Sequence, residues 1–249
     1  MSESDPIAAP DRAGGGSAAT EPKVEWLTVI GEPDVWRSLG LVVTDDGLIP
    51  LVGTSIRLVP SPPAAPLVAS DRSETSESTA AAGSGSVGAG IVGWALSEVP
   101  ASDDGALVDG LPTEVVQPLA PVFADHPLGA SGLDHVVVLT ADLDRTSEAI
   151  AAATGCELKR IREVGSMRQG FHRIGRGGLI VELVERPDVE PGPASFWGLV
   201  LIVDDLDAAC GLIGADRISP PKDAVQPGRR IATVRADVGL GLPLALMSH

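Results

Sequence analysis

A glutamate in the middle of an apolar run is the sharpest chemical signal in the chain. Glu182 lies in Leu179-Ile180-Val181-Glu182-Leu183, with Val184 following. Burying a carboxylate among such neighbours is costly without a partner, so this position asks for a cation, a basic side chain or water in a cavity. His135, in Leu133-Asp134-His135-Val136-Val137-Val138, is a histidine in a comparable setting. The plain alternative for it is a core imidazole donating to a backbone carbonyl.

Cations gather in two further stretches, Met167-Arg168-Gln169-Gly170-Phe171 and Pro220 to Arg230. Arg168, Gln169, Lys222, Gln226, Arg229 and Arg230 could together hold a carboxylate or phosphate, since guanidinium groups suit bidentate contact. The alternative is a set of surface charges that offset local acids. Trp197 and Phe196 are either pocket walls or core residues. Cys156 and Cys210 have no CxxC or zinc-ribbon spacing and read as small buried hydrophobes. No GxSxG, HExxH, Walker or GxGxxG arrangement is present, which sets aside serine hydrolase, P-loop and Rossmann chemistry.

Elements must position these groups. Leu133 to Leu139 is β-branched and bounded by polar residues, and reads as a strand. Asp142 offers N-cap chemistry to a helix over Arg145 to Ala153, with Gly155 at its end. Strands are predicted at Glu157 to Glu163, Met167 to Ile174 and Leu179 to Glu185, giving the order β-α-β-β-β. The order repeats from Phe196, with a helix over Leu206 to Ile213 and three strand candidates between Ile218 and Ser248. A constant offset of 63 residues sets Val137 on Val200, Asp142 on Asp205 and Leu183 on Leu246, so the segment is an internal duplication. A fainter copy lies upstream, where Val24 to Ile30 matches Leu133 to Leu139 at an offset of 109. A short helix around Asp34 to Leu39 and strands at Leu41 to Val43, Leu48 to Val52, Ser55 to Val59 and Ile91 to Leu96 complete it.

Paired β-α-β-β-β units with a histidine in the first strand and a glutamate in the last resemble the vicinal oxygen chelate superfamily, which includes glyoxalase I, extradiol dioxygenases and bleomycin-binding proteins. The resemblance covers 132–249 well and 23–100 weakly. It implies an α+β fold in which tandem βαβββ units form a U-shaped mixed sheet around a cavity, with a degenerate βαβββ unit before them. The expected organisation is a disordered tail over 1–22, the degenerate unit over 23–125 with a flexible insertion at 61–90, and a glyoxalase-like domain over 132–249, divided into 132–187 and 195–249.

In that family a divalent metal such as zinc, iron, manganese or nickel is held by the first and last strands of each unit. His135 and Glu182 fall on those positions in the first unit. The 63-residue offset sends them to Gly198 and Ala245, neither of which can ligate, so the second unit departs from the pattern and the ligand set is incomplete. His172, on the strand that hairpins with the one carrying Glu182, is the candidate third ligand. Trp26 stands where His135 does in the upstream copy, and Gly93 roughly where Glu182 does.

Two functions follow as expectations. One is a glyoxalase-like lyase, isomerase or dioxygenase-type metalloenzyme acting on a small anionic molecule, with Glu182 and His135 as catalytic or metal-binding groups. The other is a metal-free protein that sequesters a small molecule. Arg168, Gln169, Trp197, Lys222, Gln226, Arg229 and Arg230 would contact that ligand. The formal charge of −16 is carried mostly by residues 1–132, with 5 basic and 18 acidic side chains, which argues against nucleic acid. No stretch approaches eighteen apolar residues, so no membrane span and a cytoplasmic protein are expected. The odd number of units suggests a homodimer in which the N-terminal unit pairs with its copy.

Overall fold

The structure, a computed structural model, describes residues 21–61, 90–100 and 107–249. The tail expected over 1–22 and the insertion expected over 61–90 lie almost wholly outside these residues.

The chain runs β1 (Lys23–Ile30), α1 (Pro33–Arg37), β2 (Leu48–Ile49), β3 (Ser55–Val59), β4 (Gly90–Ser97), β5 (Leu107–Val108) and β6 (Leu111–Val115). It continues through β7 (Ala130–Thr140), α2 (Leu143–Thr154), β8 (Arg160–Val164), β9 (Met167–Arg173) and β10 (Ile180–Glu185). The last part is β11 (Ser195–Val203), α3 (Leu206–Ile213), β12 (Lys222–Asp223), β13 (Arg230–Thr233), a 3-10 turn at Ala236–Val238, and β14 (Leu244–Ser248). Leu41 to Val43, read as a strand, is irregular.

The C-terminal half is an eight-stranded mixed sheet in the order β12-β13-β14-β11-β7-β10-β9-β8. Each half of it is a βαβββ unit, and the two join through antiparallel β7 and β11. The duplication is written into the register. Val137 of β7 faces Glu182 of β10, and Val200 of β11 faces Ala245 of β14, both pairs related by the 63-residue offset. Asp142 caps α2 by accepting from the Arg145 amide, and Asp205 caps α3 from Ala208 in the same way. Gly155 ends α2 at φ 70°, a left-handed conformation that glycine adopts without strain.

Val136, Val138, Val181, Leu183, Leu199 and Leu201 turn to the helix side and enter the main core. Val200, Ala245 and Met247 form a separate apolar cluster with Ala224 and Ile231 packed on it. Alternation along β11 and β14 sets that cluster on the opposite, concave face.

The N-terminal half is a six-stranded sheet in the order β2-β3-β1-β4-β6-β5. Its first part, β1-α1-β2-β3, is a shortened unit. Ile91 to Leu96, expected as the last strand of that unit, instead opens a second half without a helix: β4 runs antiparallel to β1, as β11 does to β7, and β6 lies parallel to β4. The N-terminal unit, expected to pair with its copy, thus meets a second half within the chain.

All four first strands carry a register shift at corresponding places. In β7 it leaves Asp134 unpaired between Leu133 and His135, and in β11 it leaves Trp197 unpaired between Phe196 and Gly198. In β1 the extra residue is Glu25 and in β4 it is Val92. These are β-bulges, where two residues of one strand oppose one of its neighbour and the side-chain alternation is reset.

Candidate functional site

The bulge in β7 determines what the site contains. Strict alternation would send Asp134 to the helix side and keep Leu133 with His135. Instead Leu133 packs in the main core, and Asp134 accepts a hydrogen bond from its neighbour, the distance from His135 Nδ1 to Asp134 Oδ2 being 2.7 Å. On the far side of the ring, His135 Nε2 lies 3.4 Å from Glu182 Oε2. Parallel pairing of β7 with β10 places the two on one face, with Ile180 beside His135 and Glu182 beside Val137.

Further groups complete a polar row. Gln169 donates to Glu182 Oε1 at 2.8 Å. Arg229 donates to Asp134 Oδ1 at 2.7 Å and to the Ser248 carbonyl at 2.8 Å, and also to the Gln226 side chain. Arg162 stands opposite Gln169 on β8 and so shares its face. Its charge acts on Glu182, yet it makes no ion pair or hydrogen bond among the described residues. The side chains of Asp134, His135 and Glu182 are 7%, 14% and 13% exposed.

The two carboxylates are driven in opposite directions. Burial raises Glu182 above the usual glutamate value, and the nearby His135 and Arg162 only partly offset it. Burial also pushes Asp134 upward, but hydrogen bonds from His135 and Arg229 outweigh it and hold the carboxyl below its ordinary value. Asp134 thus favours its charged form beside the imidazole, while Glu182 holds its proton more readily than an exposed glutamate does.

Several of the expected residues stand elsewhere. His172 is fully buried on the helix side, with its ring nitrogens bonded to Ser147 Oγ at 3.0 Å and the Cys156 carbonyl at 2.9 Å. It cannot reach the concave face. Arg168, one residue out of phase with Gln169, pairs with Asp144 and Glu185 beside α2. Arg230 points to Asp207 of α3 at 2.7 Å. Lys222 is exposed on the short strand β12 and makes no ion pair among the described residues. Trp197, 46% exposed, lines a cleft of about 940 Å³ with Thr233, Arg235, Leu242 and Pro243. Asp134 and Arg162 were not singled out from the sequence. The bulge hid the first; for the second, its place opposite Gln169 across the β8–β9 hairpin was the available signal.

The divalent metal that the fold implies does not fit these residues. Only His135 Nε2 and Glu182 Oε2, among the described residues, present free donor atoms to one point, because Asp134 is taken up by Arg229 and by the imidazole. Among the described residues no group of three histidine, cysteine or acidic side chains is placed to hold a metal ion. Gly198 is pressed so close to β14 that a Cβ would lie 2.7 Å from the Pro243 carbonyl oxygen, and Ala245 belongs to the apolar cluster. Catalytic metal sites keep three protein ligands as a rule.

No family model and no curated protein matches the sequence. Solved structures do. A triple mutant of 4-hydroxymandelate synthase from Streptomyces coelicolor superimposes with a TM-score of 0.59 at 15% identity, covering 92% of this chain and 93% of that one. Methylmalonyl-CoA epimerase from Mycobacterium tuberculosis aligns over 48% of this chain and 89% of its own, at 20% identity and a TM-score of 0.41. The chain has the vicinal oxygen chelate fold. With the first of these structures the likeness extends across both sheets, beyond the C-terminal pair of units.

Proposed function

We propose that the chain binds a small organic anion on the concave face of its C-terminal sheet without a resident metal ion. The observation that carries this is the division of the face into two chemistries. The first unit lines it with Arg162, Gln169, His135 and Glu182, whereas the second lines it with Val200, Ala245, Met247 and Ile231. Arg162 makes no ion pair among the described residues, although its charge acts on Glu182, and it would receive the ligand's charge. The apolar body would lie towards Trp197, whose half-exposed ring is held out by the β11 bulge.

A second reading, proton transfer on the bound molecule, is favoured by one feature. Asp134 fixes the His135 ring so that Nε2 faces Glu182, a carboxyl whose proton affinity is raised. Such a pair can hold one proton between them and pass it to a ligand atom within hydrogen-bond reach.

Elemental analysis of untagged protein and a titration with benzoate, followed through the part of the tryptophan fluorescence that Trp197→Phe removes, test the proposal. The expected result is substoichiometric metal and saturable quenching that Arg162→Met weakens about tenfold. Stoichiometric metal that vanishes in the double variant His135→Ala, Glu182→Ala would overturn it in favour of a metalloenzyme.

A further inference from the structure

We infer, building on the anion site proposed for the concave face, that the ligand's acidic end is a doubly charged phosphoryl group seated on Arg160 and Arg162 of β8. Register sets both arginines on that face. Arg160 stands opposite Phe171 of β9, and Arg162 opposite Gln169, while Phe171 in turn stands opposite Glu182 of β10. Residues two apart on a strand share a face and lie about 7 Å from each other. The side chains agree with this placement. The Arg160 guanidinium lies 5.1 Å from the centre of the Phe171 ring, and the charge of Arg162 acts on Glu182.

These two stand apart from the other arginines around them. Every other arginine beyond residue 130 meets a protein oxygen, whether a carboxylate, a hydroxyl or a backbone carbonyl. Arg160 and Arg162 make no hydrogen bond or ion pair among the described residues. In a chain of 34 acidic and 18 basic side chains an acidic partner is easily found, so two neighbouring guanidinium groups without one are open to an anion from outside. Stacking on Phe171 steadies Arg160 through the face of its plane and leaves the N–H edge free.

Charge and shape set the ligand class. Arg173 follows Phe171 on the same face of β9 and donates to the Gly178 carbonyl at 3.2 Å. Asp134 and Arg229 cancel each other. On the first unit's side of the face, Arg160, Arg162 and Arg173 set against Glu182 therefore leave a surplus of two positive charges even with Glu182 ionised. A phosphate ester brings nearly two negative charges at neutral pH, where a carboxylate brings one. Its three outer oxygens accept from two guanidinium forks at once, whereas a single fork already fills both oxygens of a carboxylate. The apolar part of the ligand would extend past Val137 towards Val200, Ala245 and Met247 of the second unit.

Calorimetric titrations of the full chain at about pH 8 with phenyl phosphate, benzoate and inorganic phosphate provide the test. Phenyl phosphate should bind about tenfold more tightly than either of the others, and Arg160→Met should weaken it about tenfold while changing benzoate by less than about twofold. If Arg160→Met fails to fold, Arg160→Gln removes the same charge, and the same loss is expected. Equal affinities for phenyl phosphate and benzoate, inorganic phosphate bound as tightly as its ester, or unchanged affinity for phenyl phosphate in the folded Arg160 variant would each overturn the inference. Benzoate binding that still depends on Arg162 would in those cases leave the broader anion site standing. Binding of none of the three at millimolar concentration would overturn both.

Discussion

At the scale of residues, the centre of the C-terminal face is a chain of contacts from Arg229 through Asp134 and His135 to Glu182. Arg229 and Asp134 are both largely buried, at 19% and 7% side-chain exposure, and removing one partner strands the other's charge. Arg229→Met should therefore destabilise the protein by about 2–4 kcal/mol in urea unfolding, with most of the loss recovered in the double variant Arg229→Met, Asp134→Asn. Full additivity of the two changes would show that they do not act as a pair. Glu182 behaves in the opposite sense. Its raised folded value means that the native state keeps a proton which the unfolded chain gives up earlier. Its contribution to stability is complete below the unfolded glutamate value and is lost as pH rises through the folded one. Glu182→Gln, which mimics the protonated form, should leave Tm almost unchanged near pH 4 and raise it at about pH 8. An equal loss at both values would mean that the ionised carboxylate is the favoured partner of His135.

At the scale of elements, the alternating pattern of β7, β10 and β11 was readable because β-branched runs bounded by polar residues seldom form anything else. The capping aspartates, the helix ends and the 63-residue repeat were readable for the same local reason. Asp134 was not, because a bulge leaves no mark on a run such as Leu-Asp-His-Val and only the neighbouring strand reveals it. His172 and Arg168 were misplaced by the reverse difficulty: their parity relative to Glu182 depends on the hairpin register, in which Glu182 faces Phe171. The β5–β6 hairpin went unrecognised because its strands are very short and β6 begins Leu111-Pro112, which breaks the usual signature. Gly198 was legible as a missing ligand but not as a packing requirement. Since a Cβ there would sit 2.7 Å from the Pro243 carbonyl, Gly198→Ala should cost about 1–3 kcal/mol. Gly93→Ala, with 3.1 Å to the Pro112 carbonyl, should cost less. Equal melting temperatures for the two variants would show that β14 yields as easily as β6.

At the scale of the whole molecule, the four bulged strands make two sheets of the same plan, and the packing between them binds the halves into one folding unit. One apolar core extends from Val24 to Leu246 without a break between the sheets. Trp94 of β4 meets Phe196 of β11 edge to face, with centroids 5.6 Å apart, at the point where the β11 bulge turns Phe196 inward and Trp197 outward. Asp109, on the β5–β6 turn, receives Arg145 of α2 at 2.8 Å, so a helix of the C-terminal half is pinned to a hairpin of the N-terminal half. These contacts predict a single calorimetric transition for the chain, with agreement between calorimetric and van't Hoff enthalpies. Phe196→Ala removes the aromatic partner of a tryptophan that is only 1% exposed, and should lower stability by about 3–4 kcal/mol while keeping the transition single. Two resolved transitions in the unaltered protein would show that the sheets unfold separately, and that a ligand held by one half could not stabilise the other.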